Sequence, residues 1–167
     1  MKIQVSGLSQ GTYSYQFRVT PAALELDGRF QSDVTVEASL EKTPTQIFLR
    51  VDVKTEGSFD CDRCVTPFTL PLKGTYRSYY VWDGAEAEVL DPAEVQVIPP
   101  GLSLIDITED VRQTALLSVP LKLLCHAGCR GLCPQCGKNL NKESCACTGD
   151  ASDGRWEALR VLRKSLS

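Results

Sequence analysis

The sequence predicts an α+β fold: an antiparallel β-rich N-terminal core, one helix packed on it, a cysteine knuckle and a C-terminal helix. Three observations support this. Apolar and polar residues alternate at the strand period of two through roughly the first 80 positions. The period lengthens to that of a helix near residue 106, and all eight cysteines fall within 61–64 and 125–147. At 167 residues and 43% hydrophobic, the chain suits one domain with a real core and a small appendage. We divide it into a sheet core with its helix over 1–120 and a cysteine-rich segment with the C-terminal helix over 121–167. The CxxC at 61–64 ties the second part to the first.

The elements follow in order. Tyr13, Tyr15, Phe17 and Val19 face one way along a first clear strand, and Val34, Val36, Ala38 and Leu40 do the same over 33–40. The alternation is cleanest over 46–54, where Ile47, Leu49, Val51 and Val53 oppose Phe48, Arg50, Asp52 and Lys54. That strand leads to Cys61 and Cys64. Phe68, Leu70 and Leu72 resume the alternation and TYRSYYVW at 75–82 continues it, so the first CxxC belongs at a hairpin tip. Asp83, Glu86, Glu88, Asp91 and Glu94, with Gly84 and Pro92, read as an exposed acidic loop. After Pro99, Pro100 and Gly101, the spacing of Ile107, Val111, Ala115 and Leu116 predicts a helix over about 106–118. Asp106 or Thr108 caps it, Glu109 and Asp110 lie in the favourable first turn, and Pro120 stops it. A second amphipathic helix is predicted over 154–167, with Trp156, Leu159, Leu162 and Leu166 on one side.

The cysteines carry the chemistry. Cys133-Pro134-Gln135-Cys136-Gly137 places two thiols in one tight turn, and the glycine after the second suits the positive backbone angle such a knuckle needs. Cys145 and Cys147 supply two further thiolates, which makes this segment zinc-ribbon-like, although the CxC spacing leaves open that one of the pair is a spectator. Cys61 and Cys64 would then join Cys125 and Cys129 in a second four-thiolate zinc site. The alternative is a single zinc held by four of the distal six, with Cys61 and Cys64 free or reversibly oxidised. His126, the one histidine, could replace a thiolate or could be an ordinary loop residue. Closed four-thiolate sites are structural, whereas a catalytic zinc keeps an open position.

Composition narrows the function. The N-terminal MKIQVSGLSQG lacks the apolar run of a secretory signal, and no stretch approaches the length of a membrane span. A reducing cytoplasm is therefore expected, where clustered cysteines read as metal ligands before disulfides. One histidine, no GxxxxGK[ST] and no GxGxxG after a strand leave little basis for hydrolytic or nucleotide chemistry, so no enzyme and no small-molecule substrate is expected. The net charge is −3, yet residues 121–167 hold 8 of the 18 basic residues and only 4 of the 21 acidic ones. The cysteine-rich end is thus the basic end.

The CxRC turn after a strand, the pattern from Asp106 to Pro120 reading D-x-T-E-D-V-R-Q-x-x-x-L-x-x-P, the run LC-x-x-x-C-x-GLCPxCGxNLN from Leu124 to Asn141 and the closing CxC together resemble the bacterial and plastid YceD family. The match covers roughly residues 45–165, and GLCPQCGKNLN is its most specific part. The resemblance implies a non-enzymatic ribosome biogenesis factor required for accumulation of large-subunit ribosomal RNA. Its partners would be that RNA or a pre-ribosomal particle, or ribosomal or assembly proteins. RNA contact calls for cations on phosphates and flat rings beneath bases. The candidate cations are Lys122, Arg130, Lys138, Lys142, Arg155, Arg160, Arg163 and Lys164, and the candidate stacking residues are Tyr76, Tyr79, Tyr80 and Trp82. Two other readings stay open. One is a protein adaptor using the zinc ribbon and acidic loop; the other is a thiol redox protein using Cys61 and Cys64. Against the redox reading, a redox CxxC usually opens a helix rather than joining two strands.

Overall fold

The computed structural model describes residues 1–82, 94–99 and 101–147, and the chain divides into two compact units. The first comprises Met1–Asp60 and Pro67–Leu123; the second comprises Cys61–Thr66 and the chain from Leu124 onward. Most of the acidic segment, the 154–167 helix and the candidate cations Arg155, Arg160, Arg163 and Lys164 lie outside the described residues.

The first unit is built on a five-stranded sheet in the order β2-β3-β4-β5-β6, with β2 Gly11–Val19, β3 Val34–Lys42, β4 Gln46–Asp60, β5 Pro67–Val81 and β6 Val95–Val97. The first four pair antiparallel in chain order. A separate two-stranded ladder joins β1 Lys2–Gln4 to β7 Leu104–Asp106. The alternation read from the sequence sets which face is buried. Ile47, Leu49, Val51 and Val53 are at most 1% exposed, each contributing about 1.5–3 kcal/mol on burial.

The register carries that inward row across the sheet, pairing Val53 with Val36, Val51 with Ala38 and Leu49 with Leu40. A one-residue slip would turn the whole row to solvent. Helix α1, Thr108–Leu117, buries Val111 and Ala115, and Ile107 just before it completes the i, i+4, i+8 stripe. It lies on β5 at Gly74, where an added Cβ would come within 2.6 Å of the Thr114 methyl carbon and 3.0 Å of its carbonyl oxygen.

Three readings are corrected here. The core is not purely antiparallel, because β6 runs parallel to β5, pairing Tyr79 with Val95 and Val81 with Val97. The helix starts at Thr108, since Asp106 is the last residue of β7 and pairs with Lys2. The N-cap position is Ile107, with no side-chain cap, so neither Asp106 nor Thr108 fills it; Asp106, one residue earlier, accepts hydrogen bonds from the Thr108 backbone N–H at 3.0 Å and hydroxyl at 2.6 Å. Those bonds hold its carboxyl down at about 2. The β4 strand runs on to Asp60, delivering the chain directly to Cys61.

Candidate metal centre

The second unit contains two knuckles of the same construction. In the turn after β4, the Cys61 N–H donates to the Thr66 carbonyl at 3.1 Å and the Val65 N–H to the Cys61 carbonyl at 2.8 Å. At Cys133 the Cys133 N–H donates to the Lys138 carbonyl at 2.8 Å and the Gly137 N–H to the Cys133 carbonyl at 2.9 Å. Both turns close through a residue in the left-handed region, Gly137 at φ 72° and Val65 at φ 53°. Glycine takes that angle freely; a β-branched residue does not. The knuckles are joined at Gly131, φ 76°, whose neighbour Leu132 donates its N–H to the Arg63 carbonyl at 3.1 Å. A Cβ on Gly131 would sit 3.0 Å from that same carbonyl oxygen.

This backbone brings the eight thiols into two groups. Cys61, Cys64, Cys125 and Cys129 form one and Cys133, Cys136, Cys145 and Cys147 the other, with all sulfurs of a group within 4.8 Å of one another. The Cys61–Cys129 and Cys64–Cys125 separations are 3.8 and 3.7 Å, and Cys133–Cys145 is 3.4 Å. A disulfide needs about 2.05 Å. Tetrahedral metal–thiolate bonds of about 2.3 Å put sulfurs about 3.8 Å apart, so both groups have the dimensions of a four-thiolate metal site. Cys145 and Cys147 both belong to their group. His126 belongs to neither; it is exposed, with Nδ1 3.2 Å from the Cys125 sulfur.

The electrostatics point the same way. The Cys125 backbone N–H draws the Cys61 thiol down to about 6, and the Thr66 hydroxyl lowers Cys64. Burial and the surrounding sulfurs push Cys125 up to about 12. In the other group backbone N–H groups of Cys136 and Gln135 hold Cys133 at about 6, while the Cys136 sulfur pushes Cys147 up to about 12. Within each tetrad some thiols are thus favoured as thiolates while another resists further negative charge. A bound divalent cation removes that resistance.

Asn139 and Asn141 support the sites, and the sequence reading did not single them out. The Asn141 amide donates to the Cys129 sulfur at 3.3 Å while its oxygen accepts the Arg130 N–H at 2.8 Å. Asn139 accepts from the Asn141 N–H at 3.0 Å and donates to the Thr66 hydroxyl at 3.2 Å. Arg63 donates to the Cys129 carbonyl at 2.7 Å. Hydrogen bonds to a ligating sulfur and its backbone fix ligand orientation. The available signal was the NLN that closes GLCPxCGxNLN.

The profile of the family described as Large ribosomal RNA subunit accumulation protein YceD matches residues 49–163, which include both tetrads. The chain belongs to the YceD family. Among its relatives is the chloroplastic Large ribosomal RNA subunit accumulation protein YCED homolog 1 of Arabidopsis thaliana, 34% identical over 68 residues, or 41% of this chain and 21% of that protein. The Zea mays protein of the same name is 43% identical over 44 residues, covering 26% of this chain and 15% of its own length. An uncharacterized protein of Mycobacterium tuberculosis is 28% identical over 101 residues, covering 60% of this chain and 47% of its own. The chain therefore spans less than half the length of these relatives. No solved structure matches.

The family's ribosomal association directs attention to the candidate cations. Arg130, Lys138 and Lys142 are exposed in the second unit, with Lys138 3.7 Å from Glu143; Lys122 is exposed in the first. Tyr80 is 2% exposed and belongs to the core, and Tyr76 encloses its hydroxyl without a partner. Burial pushes both phenols up. Trp82 packs against the core, which leaves Tyr79 as the outward-facing ring, its centroid 4.8 Å from that of Phe48 with the planes tilted by 37°. Among the described residues no helix is long and apolar enough to cross a membrane.

Proposed function

We propose that this YceD-family protein is a non-enzymatic, zinc-stabilised factor of ribosome biogenesis. In this reading it acts in the cytoplasm in the accumulation of large-subunit ribosomal RNA, binding that RNA or an assembly intermediate. The family match across 49–163 carries the reading. The chemistry of the tetrads supports it: four thiolates per site leave no open position for substrate, and Zn2+ is the ion that a tetrahedral sulfur set most commonly takes. Two ions would act by holding the knuckles in shape. The redox reading loses ground because Cys61 and Cys64 sit in a turn between two strands and share their site with Cys125 and Cys129.

Depletion of the protein should lower large-subunit particles on a sucrose gradient, with precursor ribosomal RNA crosslinked to the protein in cells. Unchanged subunit profiles would remove the ribosomal reading. Copurifying proteins without RNA crosslinks would favour the adaptor. Purified protein should carry two equivalents of zinc; one would restrict the structural role to a single tetrad.

A further inference from the structure

We propose that the outward face of the β4–β5 ladder is a contact surface for unpaired RNA, with Arg50 and Arg77 on the phosphate backbone and Phe48 and Tyr79 beneath a base. The inference rests on the ribosomal reading above and gives it a surface. It lies wholly within the first unit.

The register makes the case. It places Phe48 opposite Tyr79, Arg50 opposite Arg77 and Lys54 opposite Lys73, all on the side of the sheet away from the buried Leu49, Val51 and Val53. Like charges directly across a ladder destabilise it, and here β4 and β5 oppose cation to cation twice. The β4 members have acidic neighbours, Arg50 with Asp52 at 3.5 Å and Lys54 with Glu37 at 2.8 Å. Both pairs are solvent-exposed and readily exchanged for another anion. Among the described residues Arg77 and Lys73 make no ion pair, and both are exposed.

The aromatic pair decides the class of partner. Phe48 and Tyr79 are half-buried, their ring centroids 4.8 Å apart and their planes 37° apart, and they occupy the row next to the two arginines. Rows two residues apart along a strand are about 7 Å apart, comparable to the distance from a base to its own phosphate. Lys54 and Lys73 lie about 13 Å beyond the arginines, in reach of further phosphates. An acidic peptide would use the cations and leave the rings idle. A duplex would hide its base faces, so the surface fits bases free to stack.

The test is fluorescence anisotropy of the full chain with a labelled single-stranded RNA of about 12 nucleotides, and with the same RNA in duplex form. Combining Arg50→Ala and Arg77→Ala should weaken single-strand binding at least tenfold and lower the slope of log affinity against log salt by about 1.4, for two phosphates lost. Tyr79→Ala should weaken binding about tenfold with the salt slope unchanged, and Tyr79→Phe should restore it. Unaltered far-UV circular dichroism and metal content mark a folded variant. Thr75→Glu, which adds a carboxylate to the exposed face without removing a ring or a cation, provides an independent variant and should weaken binding. Absence of single-strand binding by the intact protein, preference for the duplex, unchanged affinity of the folded variants, or a protein rather than RNA crosslinked at position 77 would each overturn the proposal. In cells the two readings fail differently. Normal ribosomal RNA on depletion removes the ribosomal role itself, whereas normal ribosomal RNA in cells relying on the Arg50→Ala, Arg77→Ala protein removes only this face.

Discussion

The two tetrads have the same four-thiol make-up and nearly the same knuckles, yet they differ in reach and in shelter. Cys64 and Cys125 are 61 residues apart in sequence, whereas Cys133 and Cys145 are 12 apart. Cys61, Cys64 and Cys129 are buried, while Cys136 and Cys147 are exposed. Closing the longer loop costs about 1.4 kcal/mol more chain entropy. The first tetrad therefore has a long-range constraint to impose, and the second only its own loop.

Substitutions at each site should separate these roles. Cys61→Ser should lose one metal equivalent and lower the melting temperature of the whole chain, since a structural zinc contributes on the order of 10 kcal/mol to folding. Elemental analysis and a thermal melt followed by circular dichroism check this. Cys136→Ser should also lose one equivalent, but with rapid hydrogen exchange confined to residues 130–147 and the sheet transition retained; loss of the sheet transition would erase the distinction. Acid should then expose the difference in shelter. Without an ion Cys125 and Cys147, at about 12, keep their protons through neutrality, so binding releases them. Affinity is accordingly present at high pH and falls as pH drops, about tenfold per pH unit for each proton released. A chromophoric chelator should strip metal more readily at pH 6 than at pH 8, and from the exposed tetrad first.

Backbone changes should have smaller effects. Gly131→Ala forces a Cβ into the left-handed region and against the Arg63 carbonyl, and should cost about 1–3 kcal/mol in chemical denaturation. Val65→Gly gives the first knuckle the residue type of the second. It relieves about 1–2 kcal/mol of left-handed strain against about 0.4–1 kcal/mol of added chain entropy, so the net should be a stabilisation of at most about 1.6 kcal/mol.

What the sequence disclosed depended on how local the information was. The row from Ile47 to Val53 is written in period two, and the hairpin tip at Cys61 follows from the strands on either side. The division of the cysteines followed from one strong knuckle and the remainder. The three-residue strands β1, β6 and β7 are too short to show a period, and only their partners reveal them. Within 75–82 the ring count suggested a stacking surface, but alternation turns Tyr76 and Tyr80 inward and Tyr79 outward. Alternation alone turns Arg50 outward, but its opposition to Arg77 is a matter of register, fixed between positions 27 apart in the chain.

Asn141 gives the second unit a cooperative character. It hangs from the loop closing one tetrad, and its amide donates to a sulfur of the other. By thermodynamic linkage, an ion that orders Asn141 from one side raises the affinity for the second ion by the same factor that the second raises the first. Removing such a bond at a metal site typically costs 10–100-fold in affinity. Loss of the ion from one tetrad should therefore loosen the hold of the other, so that the second ion leaves at a higher free-metal concentration than it would if the tetrads were independent.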